Sequence, residues 1–320
     1  MLREFLNSAD NWNDLISKFK GLDYYSLYEW GKLKESQGWL VKRFILFEES
    51  NIELAFQILI KQKYFFKLIW IPGGILGNLN QNYLSKIISE LKIKFGRNII
   101  IRIGFSKYIN DDDYKLLKDL KFIKINSVNY ANSSMILNLT DKKELSENFS
   151  KNWRHNLKRS FKYNNTVLNY NDDMKKNLVR IYKEMEELKN LNNLYNNLSL
   201  NFLLKELKDL LIFKVCIDTN NNLLSIRCAI KFKNYAWDLL AATSKEGRKN
   251  YSSYQVTYEV LKECVKKNVA YYDLSGINKK LNKGVYNFKK GTGSIEYEKL
   301  GLWQYNRYTL LNKFLCNFIN

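Results

Sequence analysis

The 320-residue chain has one proline, one histidine and four cysteines, and each scarcity removes a class of chemistry. A single imidazole, His155, and no paired CxxC spacing among Cys216, Cys228, Cys264 and Cys316 leave too few ligands for a structural zinc and too little for a Ser-His-Asp triad. Three of these cysteines lie inside apolar segments, where a thiol behaves as a small hydrophobe, so a reduced, cytoplasmic protein is expected. No apolar run reaches the roughly 18 residues that would mark a spanning helix. The opening MLREFLNSADNWND turns polar too early for a secretory leader. A soluble protein with a possible peripheral contact at the inner face of a membrane is the expectation. Acidic side chains are also in short supply: 32 Asp and Glu face 52 Lys and Arg, a net charge of +20. That favours polyanionic partners, although the richness in Asn, Lys, Ile and Tyr indicates AT-rich coding and accounts for part of the lysine excess.

What is present is enough for a core. Hydrophobic residues make up 46% of the chain, which excludes wholesale disorder. After an opening helix ending near Lys20, KRFILFE (42–48) and LAFQILI (54–60) flank a polar turn and read as a hairpin. The strand YFFKLIWI follows and stops at Pro72, Gly73 and Gly74. Leu84, Ile87, Ile88 and Leu91 then recur at helical spacing, and NIIIRI (98–103) is a short buried strand. The second half repeats this order. LLIFKVCID (210–218) and LLSIRCAIKF (223–232) flank TNNN, NYAWDLLAAT is the third strand, SYQVTYEVLKECVKKN a helix with Tyr254, Thr257, Tyr258, Leu261 and Val265 on one side, and AYYDLSGI the closing strand. Two similar α/β units joined near residues 140–150 are expected, with Asp141 and Glu144 as a capping box; one large mixed sheet is the alternative.

Three segments have the residues for chemistry. In SKNWRHNLKRSFKY (150–163), Trp153, Leu157 and Phe161 recur every fourth residue while Arg154, Lys158 and Lys162 stack like charges, so an amphipathic basic helix that meets phosphates is expected, or else a solvated surface. In YEWGKLKESQGW (28–39), Trp30 and Lys34 share one helical face. In YYDLSGINKKLNKGVYNFKKGTGS (271–294), a strand ends in Asp273, turns at Ser275 and Gly276, and passes through a mobile basic loop to Phe288 and Lys289. Ligands favour such strand ends, and a lysine there suits an acyl-transfer oxyanion. Asp273 is equally a strand-end residue that satisfies a turn.

These segments, in this order, resemble the FemABX family of aminoacyltransferases and the related FemAB-like proteins. The likeness rests on EWGKLKESQGW, IPGGIL, SKNWRHNLKRSFK, YYDLSGI and YNFKKGTG, and spans nearly the whole chain. It implies an α/β (α+β) fold with two GNAT-like (acyl-CoA N-acyltransferase-like) domains in tandem, their mixed central sheets flanked by helices: residues 1–145, residues 146–302, and a C-terminal helix over 303–320 that returns to the first domain. It further implies that Lys34, beside Trp30, holds a precursor diphosphate, that Lys289 lies where donor and oxyanion meet, and that Phe288 lines that channel. Arg154, Lys158, Asp273 and Gly276 complete the expected substrate-binding set, with no metal. The chain departs from the pattern at Ile99, Gly104 and Leu240, where the family has Tyr, Asp and Tyr, which points to another acceptor amine such as one on a surface polysaccharide.

The implied activity is N-acyl or aminoacyl transfer from an activated ester to an amine of a cell-wall or surface-polysaccharide precursor, phosphorylated or lipid-linked. The expected co-substrate is aminoacyl-tRNA, with acyl-coenzyme A as the alternative and no permanently bound cofactor. EGRKNYSS (246–253) is a degenerate version of the pyrophosphate loop that coenzyme A would need. A non-catalytic RNA- or membrane-binding relative is the reading from another class.

Overall fold

The computed structural model describes residues 1–63, 65–127, 130–140, 144–189 and 197–307. The chain divides into two compact units, Met1–Ser133 with Glu298–Asn320, and Ser134–Tyr297.

The first unit opens with β1 (Leu2–Glu4), α1 (Ala9–Ile16) and α2 (Tyr28–Ser36). The expected hairpin forms as β2 (Leu40–Glu48) and β3 (Asn51–Lys63), in a register that sets Phe44 opposite Phe56 and Arg43 opposite Gln57. Period-2 alternation sends Phe44, Leu46, Leu54, Phe56 and Ile58 into one core. β4 (Phe66–Ile71) pairs with β3, as does the two-residue β5 (Leu76–Gly77). α3 (Gln81–Phe95) begins where the Asn80 side chain accepts the Tyr83 N–H at 2.9 Å, and ends at Gly96, whose φ of +94° suits glycine. β6 (Ile99–Tyr108) then runs parallel to β4 over five paired positions, Lys67–Ile71 against Ile99–Ile103. Two elements without a strong apolar pattern follow, α4 (Asp111–Asp119) and β7 (Ile123–Ile125).

The second unit contains β8 (Ser133–Asn138, all but its first residue), α5 (Lys151–Ser160), β9 (Thr166–Asn169), α6 (Lys175–Lys189), α7 (Asn197–Glu206), β10 (Leu211–Ile217), β11 (Leu223–Phe232), β12 (Tyr235–Thr243), α8 (Lys245–Lys249), α9 (Ser252–Lys266), β13 (Tyr271–Asp273) and α10 (Lys283–Lys290). Its sheet has the order β8-β13-β12-β11-β10-β9 and is mixed, because β12 and β13 are parallel and the other pairs antiparallel. β14 (Ile295–Asn306) follows, and from Glu298 its residues belong to the first unit, where they pair with β6 and β7.

Mixed sheets flanked by helices are thus present in both halves, as the sequence implies. The differences lie at the edges of elements. On α9 the buried face is Val256, Thr257, Val260, Leu261 and Cys264, whereas Val265 is exposed, so the apolar stripe lies about one residue off the expected one. α5 ends at Ser160, and Asn164 takes a left-handed turn, so Trp153 and Leu157 are buried but Phe161 is largely exposed and Lys162 leaves the helical row of Arg154 and Lys158. Residues 303–306 of the expected C-terminal helix are strand; residues 308–320 and Asp141 of the capping box lie outside the described residues.

Candidate active site in the second unit

The pairing of β12 with β13 stops after three positions, at Trp237 and Asp273. Beyond that point a cavity of about 590 Å³ opens, walled by β11, the outer half of β12, α9, the turn at Ser275 and α10. Two parallel strands that stop pairing leave backbone and side chains facing a common space, which is where ligands sit in open α/β sheets.

Lys289 reaches this cavity from α10. Asn282 caps that helix by accepting the Val285 N–H at 3.2 Å, and the i, i+3 spacing of Tyr286 and Lys289 puts both on its buried face. The segment read from sequence as a mobile basic loop is therefore helical over Lys283–Lys290. The Lys289 side chain is buried, and its Nζ donates to Ser275 O at 3.1 Å and Gly276 O at 2.8 Å. Ser275 is left-handed, with φ of +62°, and Asp273 Oδ1 accepts the Ser275 N–H at 2.7 Å. At the other end of the lysine, its own carbonyl accepts hydrogen bonds from Thr292 Oγ1 at 2.7 Å and Ser294 Oγ at 2.9 Å. The GTG segment is thus the turn that closes α10.

The floor is an ion pair that the sequence reading did not assemble. Arg227 Nε and Nη2 donate to Asp238 Oδ1 and Oδ2 at 2.9 and 2.7 Å, while Nη1 donates to Thr257 Oγ1 on α9 at 3.0 Å. Tyr272 adds a hydroxyl to Asp238 Oδ1 at 3.0 Å, and burial, then the Asp238 charge, pushes that phenol well above its ordinary range, so it stays a donor. Bidentate geometry with each guanidinium nitrogen bonded is what favours a buried pair. Ser275 Oγ donates to the Asp238 carbonyl, tying this strand to the turn that holds Lys289. The signal was in the sequence: Arg227 lies mid-strand between the apolar Ile226 and Cys228, and a charge buried there demands a partner.

The remaining expected residues divide. Phe288 lines the cavity and packs against Trp153 and Tyr254, at ring distances of 5.8 and 5.0 Å. Gly276 contributes its carbonyl to Lys289. Asp273 is consumed by structure, its carboxylate accepting from Ser134 Oγ, the Ser275 N–H and, at 2.7 Å, Tyr297 OH; it does not line the cavity. Arg154 and Lys158 point outward on α5 and do not line it either. Asp238, which lines it, has both oxygens engaged in the ion pair with Arg227, so its carboxylate is committed to structure rather than placed as a general base. Burial pushes the thiols of Cys216 and Cys264 up to about 12 and that of Cys228 well above its ordinary value, which removes them as nucleophiles; Cys316 lies outside the described residues.

Trp30 and Lys34 are in the first unit, on α2. The Lys34 Nζ lies 5.0 Å from the centre of the Trp30 ring and donates to Gln37 Oε1 at 2.8 Å. Burial, with the Lys61 charge second, lowers its pKa to about 8. The three departures from the family pattern are core positions here. Ile99 and Leu240 are buried, and a Cβ on Gly104 would fall 2.7 Å from the Tyr130 ring and 3.0 Å from Pro72 O, so a side chain at 104 has no room.

Among the described residues no cluster of His, Cys, Asp and Glu could hold a metal ion, and no helix is long and apolar enough to cross a membrane. No curated protein matches the chain by sequence. The solved structure of FemX is similar over 99% of both chains, with a TM-score of 0.83 at 16% identity. A tandem GNAT protein from the clavulanic acid biosynthesis pathway covers 95% of this chain and 98% of its own, with a TM-score of 0.63 at 7% identity. L-PGS from Bacillus licheniformis covers 98% and 96%, with a TM-score of 0.57 at 12% identity. At such identities these likenesses establish the fold, a tandem GNAT architecture. Residues 208–315 match the FemAB family, so the stretch that builds the cavity and carries Arg227, Asp238, Ser275 and Lys289 is the FemAB-like part of the chain.

Proposed function

We propose that the protein is an N-acyltransferase of the FemAB type that moves an aminoacyl group from aminoacyl-tRNA to an amine of a phosphorylated cell-envelope precursor. The observation that carries this reading is Lys289, buried at the edge of a cavity on the open strand ends, with its ammonium positioned by two carbonyls. The transferase class also draws on the FemAB match and on the likeness to FemX.

An amine attacks an ester carbonyl without a covalent enzyme intermediate. The new C–N bond forms as the carbonyl oxygen takes the negative charge; the tetrahedral species then expels the ribose hydroxyl, and the nitrogen gives up its extra proton as that oxygen gains one. Proximity supplies much of the rate, on the order of 7 to 11 kcal/mol in ideal cases. Lys289 stabilises the oxyanion, Phe288 and the small side chains Ala241 and Ala242 bound the space for the acyl group, and the Arg227–Asp238 pair keeps the strand ends in place. Lys34, with its pKa near 8, gains an anionic partner when a diphosphate binds.

The donor preference has a structural reason. The stretch that coenzyme A would need as a pyrophosphate loop is the helix α8, and a Cβ on Gly247 would fall 2.2 Å from Leu224 O, so that glycine serves close packing on the sheet rather than an open cradle. The test compares product formation from charged tRNA and from acyl-coenzyme A, with an amino sugar diphosphate as acceptor. Turnover with charged tRNA that Lys289→Ala lowers by roughly 10² to 10³ is the expected result. Turnover only with acyl-coenzyme A overturns the donor; unchanged turnover in Lys289→Ala overturns the mechanism.

A further inference from the structure

A cavity of about 800 Å³ in the second unit is separate from the one beside Lys289. It lies at the far edge of the sheet, between β9, β10, the start of α6, α7 and the end of α9. Lys175, Lys205, Lys208, Lys214 and Lys267 all line it, against Asp172 and Glu263. Glu263 is already shared by Lys214 and Lys267, at 3.5 and 3.6 Å. Lys205 has a loose, exposed pair with Glu206 at 3.7 Å, so the positive excess gathers mainly around Lys175 and Lys208. One wall is apolar, with Leu204, Ile212 and the ring pair Tyr170–Phe213, stacked at 4.4 Å and 11°.

Two buried polar atoms on this wall have no hydrogen-bond partner among the described residues. Tyr170 is locked by that stack and by its backbone N–H, which donates to Phe213 O at 3.0 Å, yet its hydroxyl is buried with no hydrogen-bond partner among the described residues. Asn201 Oδ1 is in the same condition. Burial, with Asp172 second, raises the Tyr170 pKa to about 12, so the hydroxyl is a donor at physiological pH. A buried polar group without a partner is costly, and such groups are rare unless something else satisfies them. Nothing in the transfer chemistry proposed above uses this edge of the sheet.

We propose that this cavity is a second ligand site, for a small organic diphosphate: the lysines take the phosphates, the Tyr170 hydroxyl donates to a phosphate or sugar oxygen, and the apolar wall takes the organic part. Its volume falls in the range of small-molecule sites, and its concave form suits a compact ligand better than an extended RNA backbone. The site is independent of the catalytic reading, because none of its lining residues lines the cavity of Lys289.

Calorimetric titration of the full chain with adenosine diphosphate and with inorganic pyrophosphate tests it. One saturable site is expected for adenosine diphosphate, with pyrophosphate weaker. Lys175→Ala with Lys208→Ala weakens binding about tenfold or more, as the loss of charge-assisted hydrogen bonds implies. Tyr170→Phe, which keeps the ring stack, weakens it severalfold. Lys115→Ala, on the surface of the first unit, and Lys289→Ala leave it unchanged. The proposal is overturned by an absence of saturable binding, by equal loss in Lys115→Ala, by equal affinity for pyrophosphate, by binding of RNA oligomers alone, or by loss in Lys289→Ala, which would place the nucleotide in the other cavity.

Discussion

The two units share one order of elements, hairpin, strand, helix, strand, yet only in the second do the central parallel strands stop pairing early. In the first, β4 and β6 pair over five positions and Ile69, Ile71, Ile101 and Ile103 fill the core. In the second, β12 and β13 pair over three, and the next residues, Asp238 and Leu274, begin a cavity wall and a turn. Two further positions of pairing are the difference between a packed sheet and one that opens onto a cavity. The buried arginines differ in the same way. Arg227 presents the Nε–Nη2 edge of its guanidinium to both oxygens of Asp238, whereas Arg43 of the first unit stacks on the Tyr28 ring at 3.7 Å, donates to Tyr28 O at 3.1 Å and has no partner for its Nε among the described residues. One half is built around a paired charge, and the other around an aromatic cage.

That contrast can be broken in four ways. The largest effect is expected from Lys289→Ala, a loss of roughly 10² to 10³ in turnover at saturating substrates, as for removal of one oxyanion donor. Lys34→Ala should instead raise KM for a diphosphate acceptor and leave kcat near that of the parent, and steady-state kinetics of both variants separates the roles of the two halves.

Next comes stability. Asp238→Ala leaves the Arg227 charge buried without its carboxylate and should cost about 3 to 5 kcal/mol in urea unfolding. Arg43→Met removes a charge that has no carboxylate bonded to it, so a change below about 2 kcal/mol is expected, because replacing a buried ion by a hydrophobe of similar size is often neutral. Equal costs would mean that the pairing does not distinguish the units.

A third, smaller effect is steric. Ala241→Leu projects into the cavity from an exposed strand position and should slow transfer of bulky aminoacyl groups more than of alanyl or glycyl groups, with the melting temperature held. A uniform loss across donors would place the acyl group elsewhere.

The smallest is a pH effect on Lys34. Its folded pKa of about 8 lies below the ordinary lysine value of 10.5, so between those values the unfolded chain binds the proton that the folded chain has released. Stability must then rise with pH across that window, and the penalty of burying the cation is fully present below pH 8. Lys34→Met should abolish this rise, which paired melting curves from pH 7.5 to 10.5 would read. A diphosphate bound at Lys34 should shift the window upward.

Much of this architecture was legible in the chain. The hairpins, both central helices and the closing strands follow from apolar periodicity, because they bury one whole face. What escaped has local causes. β9 and β7 are too short to have a pattern, and α4, with three aspartates in its first turn, is too polar. α10 reads as a loop because lysines and Gly284 obscure its buried Tyr286 and Lys289. At the site, Lys289 and Phe288 share one cavity, and Gly276 meets the lysine through its carbonyl. Asp273 does not line that cavity, and a strand-end carboxylate that caps a turn looks in sequence like one that meets a substrate. Arg154 and Lys158 likewise read the same whether a phosphate or water covers them. The Arg227–Asp238 pair links residues eleven positions apart across a hairpin with a register shift at Cys228/Ala229, which no spacing rule reveals.

The most direct measurement is a crystal structure with a non-hydrolysable aminoacyl amide of the tRNA acceptor end. The acyl carbonyl oxygen is expected about 3 Å from Lys289 Nζ, with its side chain beside Ala241 and Phe288. An acyl group seated in any other cavity, away from Lys289, would contradict the assignment.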